Sequence, residues 1–216
     1  ASTPRRMGRT RLVAGVRNMK SKLHVLVAAV GVACVGLLLW AAFASRGASV
    51  RPDELGFLLN GWVLTGHKEA LFGVDFRSFY TAGYGLITAG AALIGRNMNA
   101  QYRISLVVNI GMVIATAGAL ARLGFRHLAL SRRMARTIAI IIALTPAVAA
   151  NALFAWSETL SRLAFVIITL LVFEHVVKPR YATAGLIGIT ASFMVIAHGR
   201  FTLVPLLAVM FLVLAC

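Results

Sequence analysis

The chain has 216 residues, of which 60% are hydrophobic and 13% charged, and its mean hydropathy is +0.86. This composition excludes an ordinary soluble domain and predicts an integral membrane protein with the lipid bilayer as its surroundings. The net charge of +16 does not indicate nucleic acid, because the basic residues alternate with apolar runs instead of forming one patch with aromatic residues.

The N-terminal residues 1–22 form a basic tail that contains seven Lys or Arg and no acid. By the positive-inside rule this tail is expected to be cytoplasmic. The uncharged run that follows, residues 25–45, is 21 residues long. At 1.5 Å per residue it can cross about 30 Å of hydrocarbon, and it exceeds the apolar core of a signal peptide. We therefore expect residues 23–216 to form a transmembrane bundle that begins with this span.

Residues 46–103 are predicted to form a long first outer loop that carries interfacial helices, amphipathic or re-entrant. Four of the six acidic residues lie in it. Its segment 78–95 is apolar but rich in glycine, tyrosine and threonine. If this segment crossed the membrane, the five arginines between 122 and 136 would lie outside, so the charge rule favours a segment that stays in the outer leaflet.

The remaining apolar runs complete an all-α bundle of about six spans. They cover residues 104–121, 137–151, 159–177, 182–197 and 201–216. The last run is short and ends without a basic flank, so we expect the polypeptide to continue beyond it in the complete protein. The five arginines of the loop 122–136 are most simply topogenic residues that face anionic lipids.

The start of the outer loop places two adjacent carboxylates, Asp53 and Glu54, directly after Pro52. Proline at the first helical position and acids in the first turn are typical of a helix start, so capping is one interpretation. The helix would continue with an apolar face of Leu55, Leu58, Leu59, Trp62 and Val63. Since this helix follows a span closely, its acidic end would lie at headgroup level, which favours a functional site.

Several motifs follow one another in an order that resembles the N-terminal half of GT-C type polytopic membrane glycosyltransferases. This class includes the protein O-mannosyltransferases, the aminoarabinose transferases of lipid A and the actinobacterial arabinosyltransferases. The motifs are Pro52-Asp53-Glu54, Gly61-Trp62-Val63-Leu64-Thr65-Gly66, Phe79-Tyr80-Thr81-Ala82-Gly83-Tyr84-Gly85-Leu86, Tyr102-Arg103 leading into Val107-Val108-Asn109, Trp156-Ser157-Glu158-Thr159-Leu160 and His198-Gly199-Arg200-Phe201. The resemblance covers residues 20–216 in order.

The resemblance implies transfer of a sugar from a polyprenyl-phosphate donor to an acceptor on the outer face of the cell membrane, by an inverting displacement. It also implies a missing C-terminal half, which a further polypeptide could supply. Asp53 is the expected general base that removes the proton of the acceptor hydroxyl. Glu54 leaves the helix about 100° away from it, and we expect it to have a lesser role in substrate binding.

The donor phosphate requires a permanent cation, and arginine offers a fork of donors to its oxygens. The candidates in the outer segments are Arg77, Arg96, Arg103, Arg162 and Arg200. Arg200 is the first of them, because it lies beside His198 between two apolar runs, although it could equally extend to the headgroups. Arg103 and Glu158, which lie in the matching motifs, complete the candidate substrate-binding set. The spacing of Glu158 and Arg162, four residues apart, also fits a structural ion pair on a helix surface.

No cofactor is expected, and neither the two cysteines nor the five histidines have the spacing of a metal site. A divalent cation shared by Asp53 and the donor phosphate stays an alternative. Two other functions also stay open. One is a non-catalytic membrane remnant or subunit. The other is half of a lipid-carrier transporter, which should place ionisable residues near mid-membrane.

Overall fold

The computed structural model describes residues 5–48, 52–67, 82–95, 97–198 and 201–214. Within these ranges the fold is all-α and contains no strand. The helices are α1 (Arg5–Ala44), α2 (Pro52–Leu64), α3 (Ala82–Ile94), α4 (Met98–His127), α5 (Arg132–Ala143), α6 (Pro146–Asn151), α7 (Glu158–Val177), α8 (Tyr181–Ala197) and α9 (Val204–Leu214). The predicted all-α class is confirmed.

Three of the described helices are long and apolar enough to cross a bilayer. They are the Lys22–Ala44 part of α1, α4 and α7. The chain therefore has the features of a multi-pass membrane protein. Helices α3 and α8 are apolar but shorter, with 13 and 17 residues, and the number of six spans stays a prediction.

The predicted span 137–151 is divided into two helices. Helix α5 already begins at Arg132, where the Ser131 side chain accepts a hydrogen bond from the Met134 amide at 3.3 Å and caps the helix. It ends at Ala143, and Pro146 starts α6. Proline restricts the preceding Thr145 to an extended conformation (φ −55°, ψ 144°), so the chain turns at this point.

Helix α2 begins at Pro52 with Asp53 and Glu54 in its first turn, which confirms the predicted helix start. Four of its five predicted apolar positions turn towards the protein, since Leu58 and Leu59 are buried and Trp62 and Val63 are half-buried. The fifth, Leu55, is 42% exposed. Glu54, Phe57 and Gly61 are buried as well, where α2 packs against α3.

The contact between α2 and α3 is close because Gly61 has no side chain. A Cβ at this position would lie 2.5 Å from Oγ1 of Thr88 and 2.6 Å from its carbonyl carbon. Thr88 is fully buried, and its hydroxyl donates a hydrogen bond to the carbonyl of Phe57 at 2.7 Å. This hydroxyl fixes the position of α2 along α3.

Helix α4 is the centre of the described bundle and contacts α1, α2, α3, α5 and α7. Its buried side contains large apolar residues, among them Leu106 and Ile110, which belong to the main hydrophobic core. Helix α8 packs against α7, and its C-terminal end meets α3. The end of the bundle that contains the α2 N-terminus therefore also gathers the starts of α4 and α7 and the end of α8.

Candidate functional site

The two adjacent carboxylates at the start of α2 have different surroundings. Asp53 is exposed, whereas Glu54 has 0% of its surface accessible. Oε1 of Glu54 accepts one hydrogen bond from the Tyr102 hydroxyl at 3.0 Å and another from the Ala155 amide at 2.8 Å. The two carboxylates thus face in different directions, as predicted, and of the two only Asp53 is exposed at the surface.

The contacts of Glu54 connect three parts of the chain. Tyr102 belongs to the first turns of α4, and Ala155 lies three residues before Glu158, the first residue of α7. A carboxylate buried in a membrane protein is costly unless donors surround it, and here two donors point at one oxygen. Glu54 therefore anchors the start of α2 beside the start of α7.

A second set of buried hydrogen bonds lies next to this anchor. The Tyr84 hydroxyl donates to Oδ1 of Asn109 at 2.9 Å, and Nδ2 of Asn109 donates to the carbonyl of Phe154 at 2.6 Å. Burial raises the pKa of Tyr84 and outweighs the hydrogen bond to Asn109, which lowers it. The Tyr84 hydroxyl is therefore a neutral donor.

Gln101 joins three helices. Its Nε2 donates to the carbonyls of Leu58 in α2 and Thr88 in α3, both at 3.0 Å, and its Oε1 accepts from the indole of Trp62. No role was predicted for this residue. The signal was present, since Gln101, Ser105 and Asn109 recur every four residues and lie on one face of α4.

A cavity of about 280 Å³ lies where α7 begins and α8 ends. It is lined by Glu158, Ser161, Arg162, Phe165, His198 and Phe201. Two of the predicted substrate-binding residues, Glu158 and His198, thus meet in one cavity, although they are 40 residues apart in the sequence. The His198 ring packs edge-on against Phe201, with ring centres 5.9 Å apart.

Two donors of this cavity lack hydrogen-bond partners within the described ranges. They are Oγ of Ser161 and Nη1 of Arg162, and both atoms are buried. Arg162 is half-buried, and its predicted partner Glu158 does not accept a hydrogen bond from Nη1. The buried Nη1 of Arg162 and Oγ of Ser161 can each donate to an oxygen acceptor that enters the cavity beside Glu158.

Arg103 and Arg200, which were predicted to bind the substrate, are not assigned to this cavity. Nε of Arg103 donates to the carbonyl of Ser45 at 2.9 Å, which connects the start of α4 to the end of α1. Arg103 is not among the residues that line the cavity. Arg200 lies outside the described residues, two positions after His198 and one before Phe201. Its role in phosphate binding stays a prediction.

Metal ligands do not converge in the described part of the chain. No group of three or more His, Cys, Asp or Glu side chains there could hold a metal ion. Asp53 and Glu54 are adjacent in sequence, but Glu54 Oε1 is occupied by two donors. The alternative of a divalent cation shared with a donor phosphate stays a prediction.

Comparisons with protein-family models, with curated proteins and with solved structures gave no match for this chain.

Proposed function

We propose that this chain is a GT-C type membrane glycosyltransferase or its N-terminal portion, which transfers a sugar from a polyprenyl-phosphate donor to an acceptor outside the membrane. The observation that supports it best is the cavity at the start of α7, in which buried donors of Ser161 and Arg162 lack an acceptor. A phosphate oxygen has the charge and the lone pairs that these donors require. The order of the sequence motifs supports the same class.

In the proposed reaction the acceptor hydroxyl oxygen attacks the anomeric carbon of the donor sugar. The bond between that carbon and the phosphate oxygen breaks, and the polyprenyl phosphate leaves with both bonding electrons. Asp53 takes the hydroxyl proton as the new bond forms, which its exposed position allows. Arg162, His198 and Arg200 hold the phosphate, while Glu158 lies at the sugar side. Glu54 positions Asp53 by fixing the start of α2.

The buried polar residues of α4 do not favour the transporter alternative. Asn109 and Gln101 are hydrogen-bonded within the bundle, and the Ser105 and Thr116 hydroxyls donate to backbone carbonyls of their own helix. A transport path needs polar groups that can exchange their partners for a moving substrate. These groups already have structural partners.

The proposed orientation places the N-terminal tail and the arginine loop in the cytoplasm and the cavity outside. Single cysteines at Ser131 and Asn97, in a background without Cys34 and Cys216, should therefore be labelled from opposite sides of the membrane. The two positions are matched, because each is the N-cap of its helix and its loss costs about 1 kcal/mol. Labelling of the Ser131 position by an impermeant reagent from outside intact cells would contradict this orientation.

Replacing Arg162 with alanine is expected to weaken binding of polyprenyl phosphate, the sugar-free leaving group, by about ten- to a hundredfold. Charge-assisted hydrogen bonds are worth roughly 1.5–3 kcal/mol, which corresponds to that range. Binding can be measured with a fluorescent polyprenyl phosphate and purified protein in detergent. Arg162→Lys keeps the charge without the fork and should have an intermediate effect.

The matched control for Arg162→Ala is Arg180→Ala. Arg180 is exposed at the opposite end of α8 and does not line the cavity, so its loss should leave the affinity unchanged. Equal affinities of the wild type and a folded Arg162→Ala protein would remove the phosphate role of the cavity.

A further inference from the structure

The opposite end of the bundle, where α4 ends and α5 begins, contains a cluster of seven basic residues. The residues Arg122, Arg126, Arg132, Arg133, Arg136, Lys178 and Arg180 lie there with a single acid, Glu174. Oε1 of Glu174 accepts from Arg122 Nη2 at 2.6 Å and lies 3.4 Å from Arg126 Nη1. Glu174 thus compensates part of the charge of two arginines.

The three arginines of α5 have no carboxylate partner among the described residues. Within the described ranges, Arg132, Arg133 and Arg136 form no ion pair, and the guanidinium of Arg132 lies 5.7 Å from the ring centre of Phe125. Arg132 and Arg136 differ from Arg133 in one respect. Both line a cavity of about 620 Å³ together with Arg122, whereas Arg133 does not.

A second, apolar cavity adjoins this basic one. Its volume is about 380 Å³, and its lining residues come from α1, α4 and α5 and are all apolar or glycine. The two cavities share Ile114, Ala117 and Ile140 in their linings. Together they form one groove, here called the α1/α4/α5 groove, which runs from an apolar part along the helices to a cluster of three arginines.

Small residues let α1 and α4 each approach α5 closely at one point, and these two contacts border the groove. A Cβ at Gly31 of α1 would lie 3.0 Å from Ile140, and a Cβ at Gly124 of α4 would lie 3.0 Å from Ala135. The helices are therefore in contact at these points. Between them, Ala117 and Gly118 of α4 leave open space, and a Cβ at Gly118 would meet no atom within 4 Å.

A groove with one apolar part and one cationic end matches a molecule with an acyl chain and an anionic headgroup. We infer that the α1/α4/α5 groove is a binding site for an anionic phospholipid, with its phosphate at Arg132 and Arg136 and one acyl chain beside Ala117. Anionic lipids are attracted by basic residues near a membrane surface, at about 1 kcal/mol for each Lys or Arg. This site is distinct from the cavity at the start of α7 and does not depend on the proposed transfer reaction.

The test compares retention of phosphatidylglycerol and phosphatidylcholine by the purified protein, with each bound lipid counted by native mass spectrometry. The wild type is expected to retain phosphatidylglycerol preferentially. Arg136→Ala should lower that preference by about fivefold, the equivalent of 1 kcal/mol. Arg133→Ala removes the same charge from the same helix outside the groove and should change the preference less than twofold.

A second pair of variants tests the acyl chain without changing any charge. Ala117→Phe fills the groove and should lower phosphatidylglycerol retention at least as much as Arg136→Ala does. Ala115→Phe adds the same ring at an exposed position of α4 that does not line the groove, and it should have no effect. The two pairs of variants are independent. If one variant does not fold, the pair to which it does not belong still decides the test.

Several outcomes would overturn the inference. Equal effects of Arg133→Ala and Arg136→Ala would mean that total charge, and not the groove, selects the lipid. Unchanged retention in Ala117→Phe, or displacement of the lipid by millimolar inorganic phosphate, would mean that only a headgroup binds. A change of oligomeric state in Ala117→Phe with unchanged retention would assign the groove to a second copy of the chain. Preferential retention of added polyprenyl phosphate over phosphatidylglycerol would assign it to the carrier lipid.

Discussion

Replacement of Asp53 by asparagine is expected to lower the rate of sugar transfer by a factor of ~10² to 10⁴, the usual contribution of a general base. An amide has nearly the same shape as the carboxylate and still accepts hydrogen bonds, so a helix-capping role would survive with a loss of only a few tenths of a kcal/mol. It cannot take the proton of the acceptor hydroxyl. The measurement is transfer of labelled sugar from a polyprenyl-phosphate donor in membranes that contain this chain or a longer polypeptide that includes it.

Binding of the donor phosphate separates this effect from misfolding. Asp53 is exposed at the start of α2 and does not line the cavity that contains Arg162, so Asp53→Asn should bind polyprenyl phosphate as the wild type does. Transfer at near wild-type rate by a folded Asp53→Asn protein would leave Pro52, Asp53 and Glu54 as a helix start and nothing more.

The neighbouring carboxylate provides the matched comparison, since Glu54 is buried while Asp53 is exposed. Glu54→Gln keeps an oxygen that can accept from Tyr102 and Ala155, and its effect on transfer should be much milder than that of Asp53→Asn. Glu54→Ala would leave the buried Ala155 amide without this acceptor, at a cost of about 1–3 kcal/mol, whereas the Tyr102 hydroxyl keeps the carbonyl of Leu153 at 3.3 Å. A transfer defect in Glu54→Ala should therefore coincide with lower stability.

These two residues also show how far the sequence could be interpreted. The helix start at Pro52 and the divergence of Asp53 and Glu54 follow from local rules, because the first turn of a helix is determined by neighbouring residues. The partners of Glu54 do not follow from local rules. Ala155 is 101 residues away, and the hydrogen bond exists only because the segment before α7 returns to the start of α2.

The same limit explains the errors elsewhere. The apolar face predicted for α2 counted Leu55, although the helix turns Glu54 and Gly61 towards the protein. A period of 3.6 residues identifies a helix, but the neighbouring element decides which side of the helix is buried. Here Gly61 of α2 and Thr88 of α3 allow these two helices to approach closely. No start was predicted for the first helix, which begins at Arg5 within the basic tail. Lys and Arg are good helix formers, so the charges there do not end the helix.

The types of residue in the candidate site could be predicted from the sequence, but not which individual residues would lie together in it. Glu158 and His198 were expected to take part and share one cavity, whereas Arg103 is bonded to the end of α1. Arg162 was interpreted as the local partner of Glu158, since spacing of four residues is the only geometry that a sequence shows directly. Its unsatisfied nitrogen is a property of the packing between α7 and α8.

Replacement of Gly83 by alanine is expected to lower the free energy of unfolding by about 1–3 kcal/mol, the usual cost of overpacking. The added Cβ would lie 2.6 Å from N and Cα of Ala197 and 2.8 Å from the carbonyl carbon of Ile196. These are backbone atoms of α8 and cannot turn aside as a flexible side chain does. Helices α3 and α8 would have to separate, and thermal unfolding of the purified protein in detergent measures the loss.

The matched control for this substitution is Gly90→Ala in the same helix. A Cβ at Gly90 would meet no atom within 4 Å, and the position is exposed. Alanine should be neutral there or should stabilise α3 by about 0.5–1 kcal/mol, because it is a better helix former than glycine. Equal unfolding temperatures for the two variants would contradict the close contact between α3 and α8.

The position of Gly83 also connects this contact to the cavity. Ala197 directly precedes His198, which lines the cavity opposite Glu158 and Arg162. A displacement of the α8 end large enough to accommodate the Cβ would move His198 away from the start of α7. Gly83→Ala should therefore weaken binding of polyprenyl phosphate as well as lower stability, whereas Gly90→Ala should change neither binding nor the geometry of the cavity.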